Sequence, residues 1–247
     1  MKVSRILLGS IIVLTISFIV FQIFNLNQLV TITRALILPL VTMLYFLETK
    51  DKKSYFFYFL LLYSIPEIIE PFISLSESVL MQNIRYYLGN ILYISAYIFL
   101  ILEILKLMNF KKVFKRFTAP IVILIVLDVY SVILVSDTSF SSGYFEVIFE
   151  NIVEILYNIT IMLLLSVAVI NYMNRHTKKA MNLLVGAICI VFSEVIQVAY
   201  YYISTENNIL SVLYSILLVF AFFFFYLQSS MSYSEEKKFK PLERLEA

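Results

Sequence analysis

Long apolar stretches without a single charge, parted by short cationic segments, constrain this chain more than any other feature. Ile6 to Phe24 is one such stretch, and residues 207–234 form another. About 20 apolar residues cross the hydrocarbon core of a bilayer as a helix. Of the 247 residues, 61% are hydrophobic and 15% charged, whereas soluble domains run at about 45–50% and about 25%. The chain therefore reads as a membrane protein. A β-barrel is disfavoured, because its strands alternate apolar and polar residues and these runs are continuous.

At this length there is room for about eight or nine spans with short connections. A soluble output domain, a nucleotide-binding cassette or a long ectodomain does not fit as well. Charges and turn residues set the spans near 5–24, 29–48, 54–75, 86–108, 117–136, 145–173, 179–203 and 208–232. The expected organisation is one transmembrane helical domain over 1–234 and a short polar tail over 235–247. The first apolar stretch is long for a signal-peptide core and has no small-residue cleavage site after it, so it reads as an uncleaved helix.

The cations set the orientation. Lys2, Arg5, Lys50, Lys52, Lys53, Lys106, Lys111, Lys112, Lys115, Arg116, Arg175, Lys178, Lys179, Lys237, Lys238, Lys240 and Arg244 fall on alternate connections or at the termini. Only Arg34 and Arg85 lie elsewhere, and intervening loops such as Ser136–Gly143 and Ser204–Asn208 carry acidic residues and no cation. The positive-inside rule then puts both termini in the cytoplasm, with an even number of spans. The frequent Ile, Phe, Tyr, Asn and Lys fit an AT-rich bacterial genome, which points to a bacterial inner membrane.

Several function classes drop out. His176 is the only histidine, so a multi-histidine metal centre is excluded, and no cofactor is expected. Cys189 has no partner for an internal disulfide. No basic block interleaved with aromatics signals nucleic-acid binding. His176, among cations, reads as a headgroup contact, and Phe222 to Phe225 as packing or lipid-facing surface. No tight small-residue helix pairing is expected, since no Gly-x-x-x-Gly occurs.

Carboxylates inside the spans are the informative anomaly, because each costs at least about 2.5–3.5 kcal/mol at the centre of a bilayer. Glu67 and Glu70 lie in the outer part of the third span. Glu150 and Glu154 lie in the outer half of the sixth, and Glu194 lies near the middle of the seventh. Arg34 sits early in the second, at similar depth. The three- and four-residue spacings put each glutamate pair on one helix face. Asn151, Tyr157 and Asn158 extend that face on the sixth span, and Ser193, Gln197 and Tyr200 flank Glu194. Pro66 and Pro71 bracket the first pair and should kink the helix. A polar core in which Arg34 neutralises one glutamate is one arrangement, and a ligand-lined cavity is the other. Glu103 and Asp128 stand apart as structural hydrogen-bonding groups, and Glu146 reads as interfacial.

The order of these residues resembles the YhhN-like lysoplasmalogenases, eight-span membrane proteins. Arg34 matches the basic residue of their second helix. Ser64-Ile65-Pro66-Glu67 stands where the first acidic motif falls, followed by Gly89-Asn90-Ile91-Leu92-Tyr93. Gly186-Ala187-Ile188-Cys189-Ile190-Val191-Phe192-Ser193-Glu194 is similar to the second acidic motif, and Tyr226-Leu227-Gln228 to the end of the eighth helix. Both family aspartates are glutamates here, Tyr93 replaces a phenylalanine, and Tyr97 stands for a common histidine.

The resemblance implies hydrolysis of the vinyl ether of a lysophospholipid. Glu67 and Glu194 would be the catalytic carboxyls, one protonating the alkene carbon and the other steering water. Arg34, Glu70, Glu150, Glu154, Asn158 and Gln197 would contact substrate. The implied partner is a membrane lipid or lysophospholipid. The resemblance does not say which carboxyl is the acid, nor does the sequence set an oligomeric state. Two other functions fit the same residues: a non-catalytic relative that binds a lipid or amphiphile, and a small transporter relaying protons through the glutamates. The lack of repeats and scarcity of helix-breaking glycines weigh against the transporter.

Overall fold

A computed structural model describes residues 2–49, 54–73, 78–106, 108–141, 148–203 and 208–231. Glu146 and the polar tail lie outside them. Among the described residues every regular element is an α-helix: α1 (Lys2–Ile23), α2 (Asn27–Glu48), α3 (Tyr55–Ile73), α4 (Val79–Leu105), α5 (Phe110–Arg116), α6 (Thr118–Ser141), α7 (Ile148–Arg175), α8 (Lys178–Tyr202) and α9 (Asn208–Ser230). All except α5 are long and apolar enough to cross a membrane. The protein is a polytopic helical bundle with eight such spans.

The helix ends follow from local chemistry. Asn25 adopts a left-handed φ of 56°, and Leu26 N–H reaches back to Phe21 O at 3.0 Å while Asn25 N–H bonds Gln22 O. That pattern closes α1 in a Schellman turn, for which asparagine is a good residue after glycine. His176 does the same job after α7, with φ 51° and its N–H on Tyr172 O. Thr177 then caps α8 by accepting from Ala180 N–H at 3.2 Å. The histidine read as a headgroup contact is thus the exposed corner between two spans.

Several boundaries differ from the sequence reading; α6, for example, runs to Ser141 rather than ending near 136. Helix α4 begins at Val79 rather than near 86, since Arg85, which reads as the edge of a span, is neutralised inside the helix by Glu70. Helix α5 occupies part of a segment read as a cationic loop. Asn109 caps it, and Val113 and Phe117 turn inward to pack with Ile121, Ile170 and Met173. Its Lys111, Lys112, Lys115 and Arg116 lie among the remaining positions, as suits a short helix at a membrane interface. Helix α3 runs unbroken through Pro66 and Pro71.

Neighbours in sequence are mostly neighbours in space. Helix α8 packs along α9, α3 lies between α2 and α4, and α1 lies against α2 and α9. Helix α7 contacts α4, α6 and α8. The most apolar stretches of α1 and α6 are only 11% buried, against 56% for α7. They form the lipid-facing flanks, and α7 forms part of the centre.

The core is aromatic. Phe59 stacks on Phe222 at 5.9 Å and meets Phe225 edge-on at 5.5 Å. Phe223 points outward and is 51% exposed, so helical periodicity splits the phenylalanine run between core and lipid. Gly186 permits the close approach of α9: a Cβ there would stand 2.6 Å from the Phe225 ring and 3.2 Å from Ala221 O.

Candidate functional site

Arg34, on α2, reaches across to α3 and clamps Glu67. Its Nε donates to Oε2 and its Nη2 to Oε1, each at 2.7 Å. This is the two-pronged geometry a guanidinium makes with a carboxylate. Glu67 is 2% exposed and the Arg34 side chain 25%, so the pair is closed on the carboxylate side and partly open on the arginine side. Tyr93, on α4, donates a third hydrogen bond to Glu67 Oε1 at 3.0 Å.

The second carboxyl has a different set of partners. Glu194, on α8, accepts from the Tyr97 hydroxyl of α4 at 3.0 Å, and the Tyr157 hydroxyl of α7 reaches the same group. No cation pairs with it among the described residues.

The two halves meet at Tyr63, one turn before Glu67. The Tyr97 and Tyr63 hydroxyl oxygens stand 3.5 Å apart, and the Tyr63 ring lies 4.6 Å from that of Tyr93. Tyr63 also lies within electrostatic range of Arg34, Glu67 and Glu194. Both Tyr63 and Tyr97 are wholly inside the bundle, where a phenol needs a hydrogen-bond partner.

Five helices thus converge on one polar centre. From α2, α3 and α8 come Arg34, Glu67 and Glu194, as the sequence leads one to expect. The tyrosine scaffold is only partly visible in the sequence, which gives Tyr63 no role and leaves Tyr93 and Tyr97 as departures from a motif. Its signal lies in the spacing: Tyr63 precedes Glu67 by four residues, and Tyr93 and Tyr97 are four apart on one face of α4.

The other candidates occupy different surroundings. Glu70 turns from Glu67 toward α4, where its Oε1 accepts from Arg85 Nη1 at 3.2 Å; the side chains are 38% and 45% exposed. Glu150 accepts from the Tyr87 hydroxyl through its carboxylate at 3.4 Å, and from Tyr86 through its carbonyl. Glu154 is buried and within electrostatic range of Glu194. Asn158 is buried too but faces away to α6, donating to Ser136 at 3.1 Å. Gln197 is half-buried, beyond Glu194 on α8. Of the residues read as contacting substrate, Arg34 and Glu154 belong to the centre, while Glu70, Glu150 and Asn158 have separate partners.

The carboxylates set apart from the centre have simple roles. Asp128 accepts from Ser166 at 2.7 Å and so ties α6 to α7. Glu103 accepts from the backbone N–H of Tyr55 at 3.1 Å at the start of α3. Further polar contacts staple other spans: Gln22 to Ser211, Thr42 to Ser64, and Tyr226 to Glu48.

Between the C-terminal half of α3 and the N-terminal half of α4 lies a cleft of about 60 Å³, lined by Pro66, Ile69, Glu70, Arg85, Gly89 and Tyr93 among others. Chemically, then, the centre offers one carboxylate held by a guanidinium, one carboxyl held by phenols, and a cleft that reaches Tyr93. No family profile, curated protein or solved structure gives a match to the chain.

Proposed function

We propose that this membrane bundle is a hydrolase of single-chain phospholipids with lysoplasmalogenase-type chemistry, centred on Glu67 and Glu194. The observation that carries the reading is the convergence of two carboxyl groups with unlike partners on one buried, tyrosine-lined centre. Such division of labour suits hydrolysis of a vinyl ether. A proton goes to the alkene carbon, the resulting oxocarbenium ion takes up water, and the hemiacetal breaks into an aldehyde and the glycerol hydroxyl.

The partner sets divide the roles. Glu67, matched by the Arg34 guanidinium, is placed to stabilise an oxocarbenium ion. Among the described residues Glu194 is held by phenols, and it is the group placed to give and take the proton. Arg34 Nη1 has no hydrogen-bond partner among the described residues, and with the side chain 25% exposed it is a donor for a phosphate oxygen.

One observation favours a second reading, a bundle that binds the amphiphile without cleaving it. Both Glu67 oxygens are already engaged, one of them twice, which leaves that carboxylate little capacity to direct water.

An equilibration experiment separates the two. Purified protein is loaded with a 1-alkenyl lysophospholipid and, separately, with its saturated ether analogue. Bound lipid and free aldehyde are then quantified by mass spectrometry. The hydrolase reading expects aldehyde from the alkenyl lipid and intact bound analogue. Both lipids recovered intact and bound would establish the binder instead, and neither bound would reject both readings for these lipids.

A further inference from the structure

The α3–α4 cleft has a polar mouth and apolar walls. At its mouth stand Glu70 and Arg85, paired at 3.2 Å yet substantially exposed. Its walls are Pro66, Ile69, Ile73, Ile84, Leu88 and Leu92, and its lining includes Tyr93, which donates to Glu67. Arg85 and Tyr93 are eight residues apart on α4, about 12 Å along the helix axis.

Gly89 lies midway between them and lines the cleft. A Cβ at Gly89 meets no atom within 4 Å, in contrast to Gly186, whose missing Cβ makes room for Phe225. The glycine at 89 is therefore not explained by helix packing: it leaves open the space between the ion pair and the centre.

We propose that this cleft is a lateral port through which a single-chain amphiphile reaches the Glu67–Tyr93 centre from the outer leaflet, its headgroup carrying both signs of charge. The apolar walls suit an alkyl chain and exclude a bulky polar solute. An exposed ion pair is held weakly, so Glu70 and Arg85 can exchange each other for the cationic and anionic parts of one headgroup. A volume of about 60 Å³ is well above the roughly 10–15 Å³ a single water needs, which leaves room for the first atoms of a chain. The port deepens the hydrolase reading and rests on it only for the fate of the lipid after entry; occupation of the cleft is measurable without turnover.

The test is thiol labelling of Gly89→Cys in a Cys189→Ser background, in lipid nanodiscs, with the lipid-soluble reagent N-phenylmaleimide. The probe is a saturated 1-alkyl lysophosphocholine, which has no vinyl ether to hydrolyse. Ile98→Cys, on the same helix and 44% exposed at the native residue, is the control for a lipid-facing site.

At about ten times its Kd the probe leaves roughly a tenth of the clefts open, so labelling of Gly89→Cys slows about tenfold. Labelling of Ile98→Cys does not change. An unchanged rate at Gly89→Cys, or no labelling even without probe, overturns the port. Equal protection by a neutral maltoside of the same chain length overturns the headgroup assignment.

Gly89→Leu and Gly9→Leu form a matched pair, because a Cβ meets nothing at either position. The first should abolish capture of the probe and the second should leave it intact; equal capture by both overturns the port. Protection without aldehyde release by wild type leaves the port standing and ends the hydrolase reading. Aldehyde release with no protection does the reverse.

Discussion

Arg34 grips Glu67 with two nitrogens, Nε on Oε2 and Nη2 on Oε1, both at 2.7 Å. Arg85, the other cation that the sequence sets apart from the cationic segments, pairs with Glu70, three residues further along α3. Each misplaced positive charge is thus answered by one α3 glutamate. The two pairs differ in surroundings, since Glu67 is sealed in the bundle and Glu70 is open. A charge left alone at such depth is costly, so α2, α3 and α4 are held in register by these pairs as well as by packing.

Removing one member of the inner pair should therefore cost far more than removing both. Loss of one partner of a buried ion pair costs about 3–5 kcal/mol, and replacing both by apolar groups is often near neutral; the partial exposure of Arg34 puts its case at the low end. Thermal unfolding in detergent should show large drops for Arg34→Met and Glu67→Leu and recovery in the double variant. Additive losses would show that the two side chains do not depend on each other. Arg85→Met should shift the midpoint little, as exposed pairs contribute about 0–1 kcal/mol.

The tyrosines make a second, graded test. Tyr97→Phe removes a hydroxyl that serves both Glu194 and Tyr63, whereas Tyr93→Phe leaves Glu67 with both Arg34 contacts. A buried group left without its partner costs about 1–3 kcal/mol. Tyr97→Phe should accordingly destabilise the bundle more than Tyr93→Phe in the same unfolding assay, and the opposite order would contradict the assignment of partners.

Gly186→Ala should destabilise by about 1–3 kcal/mol through overpacking, since the Phe225 ring it would strike is fully buried against Phe59 and Phe222. Combining it with Phe225→Leu should restore part of the loss. Gly9→Ala, with open space around its Cβ, should be neutral or slightly stabilising, as helical alanine is favoured over glycine.

Spans were legible in the sequence because charge-free apolar runs of that length have one cheap conformation in lipid. Where the structure departs, a local interaction offset a charge or shortened the signal. Arg85 reads as the end of a span until Glu70 is known to neutralise it. Helix α5, seven residues dominated by four cations, is too short for its one inward residue, Val113, to show a period.

The Arg34–Glu67 pair was half legible, since a cation and a carboxylate at one depth both need a counterpart. That Glu67 and Glu70 part company was not, because a three-residue step leaves two side chains only about 60° apart on one helix face. Tyrosine was the least legible, because its usual station is the membrane interface. Only the packing shows that Tyr63 and Tyr97 are central and lend their hydroxyls to the carboxyl groups.

Orientation is open to a direct check. With Cys189→Ser as background, Arg85→Cys should react with a membrane-impermeant thiol reagent only from outside, and Lys112→Cys on α5 only from inside. Reaction of both from the same side would contradict the eight-span topology, and the reverse sidedness would invert the positive-inside assignment.

The most direct measurement is aldehyde release from a 1-alkenyl lysophospholipid by the wild type and by Glu194→Gln, each first shown to be monodisperse and helical. Amide for carboxyl keeps the acceptor for Tyr97 and removes the exchangeable acid, so the wild type should release aldehyde and the variant should lose at least about a hundredfold in rate, the usual contribution of a positioned acid or base. Equal rates, or no release by a folded wild type, would contradict the assignment of this centre to vinyl ether hydrolysis.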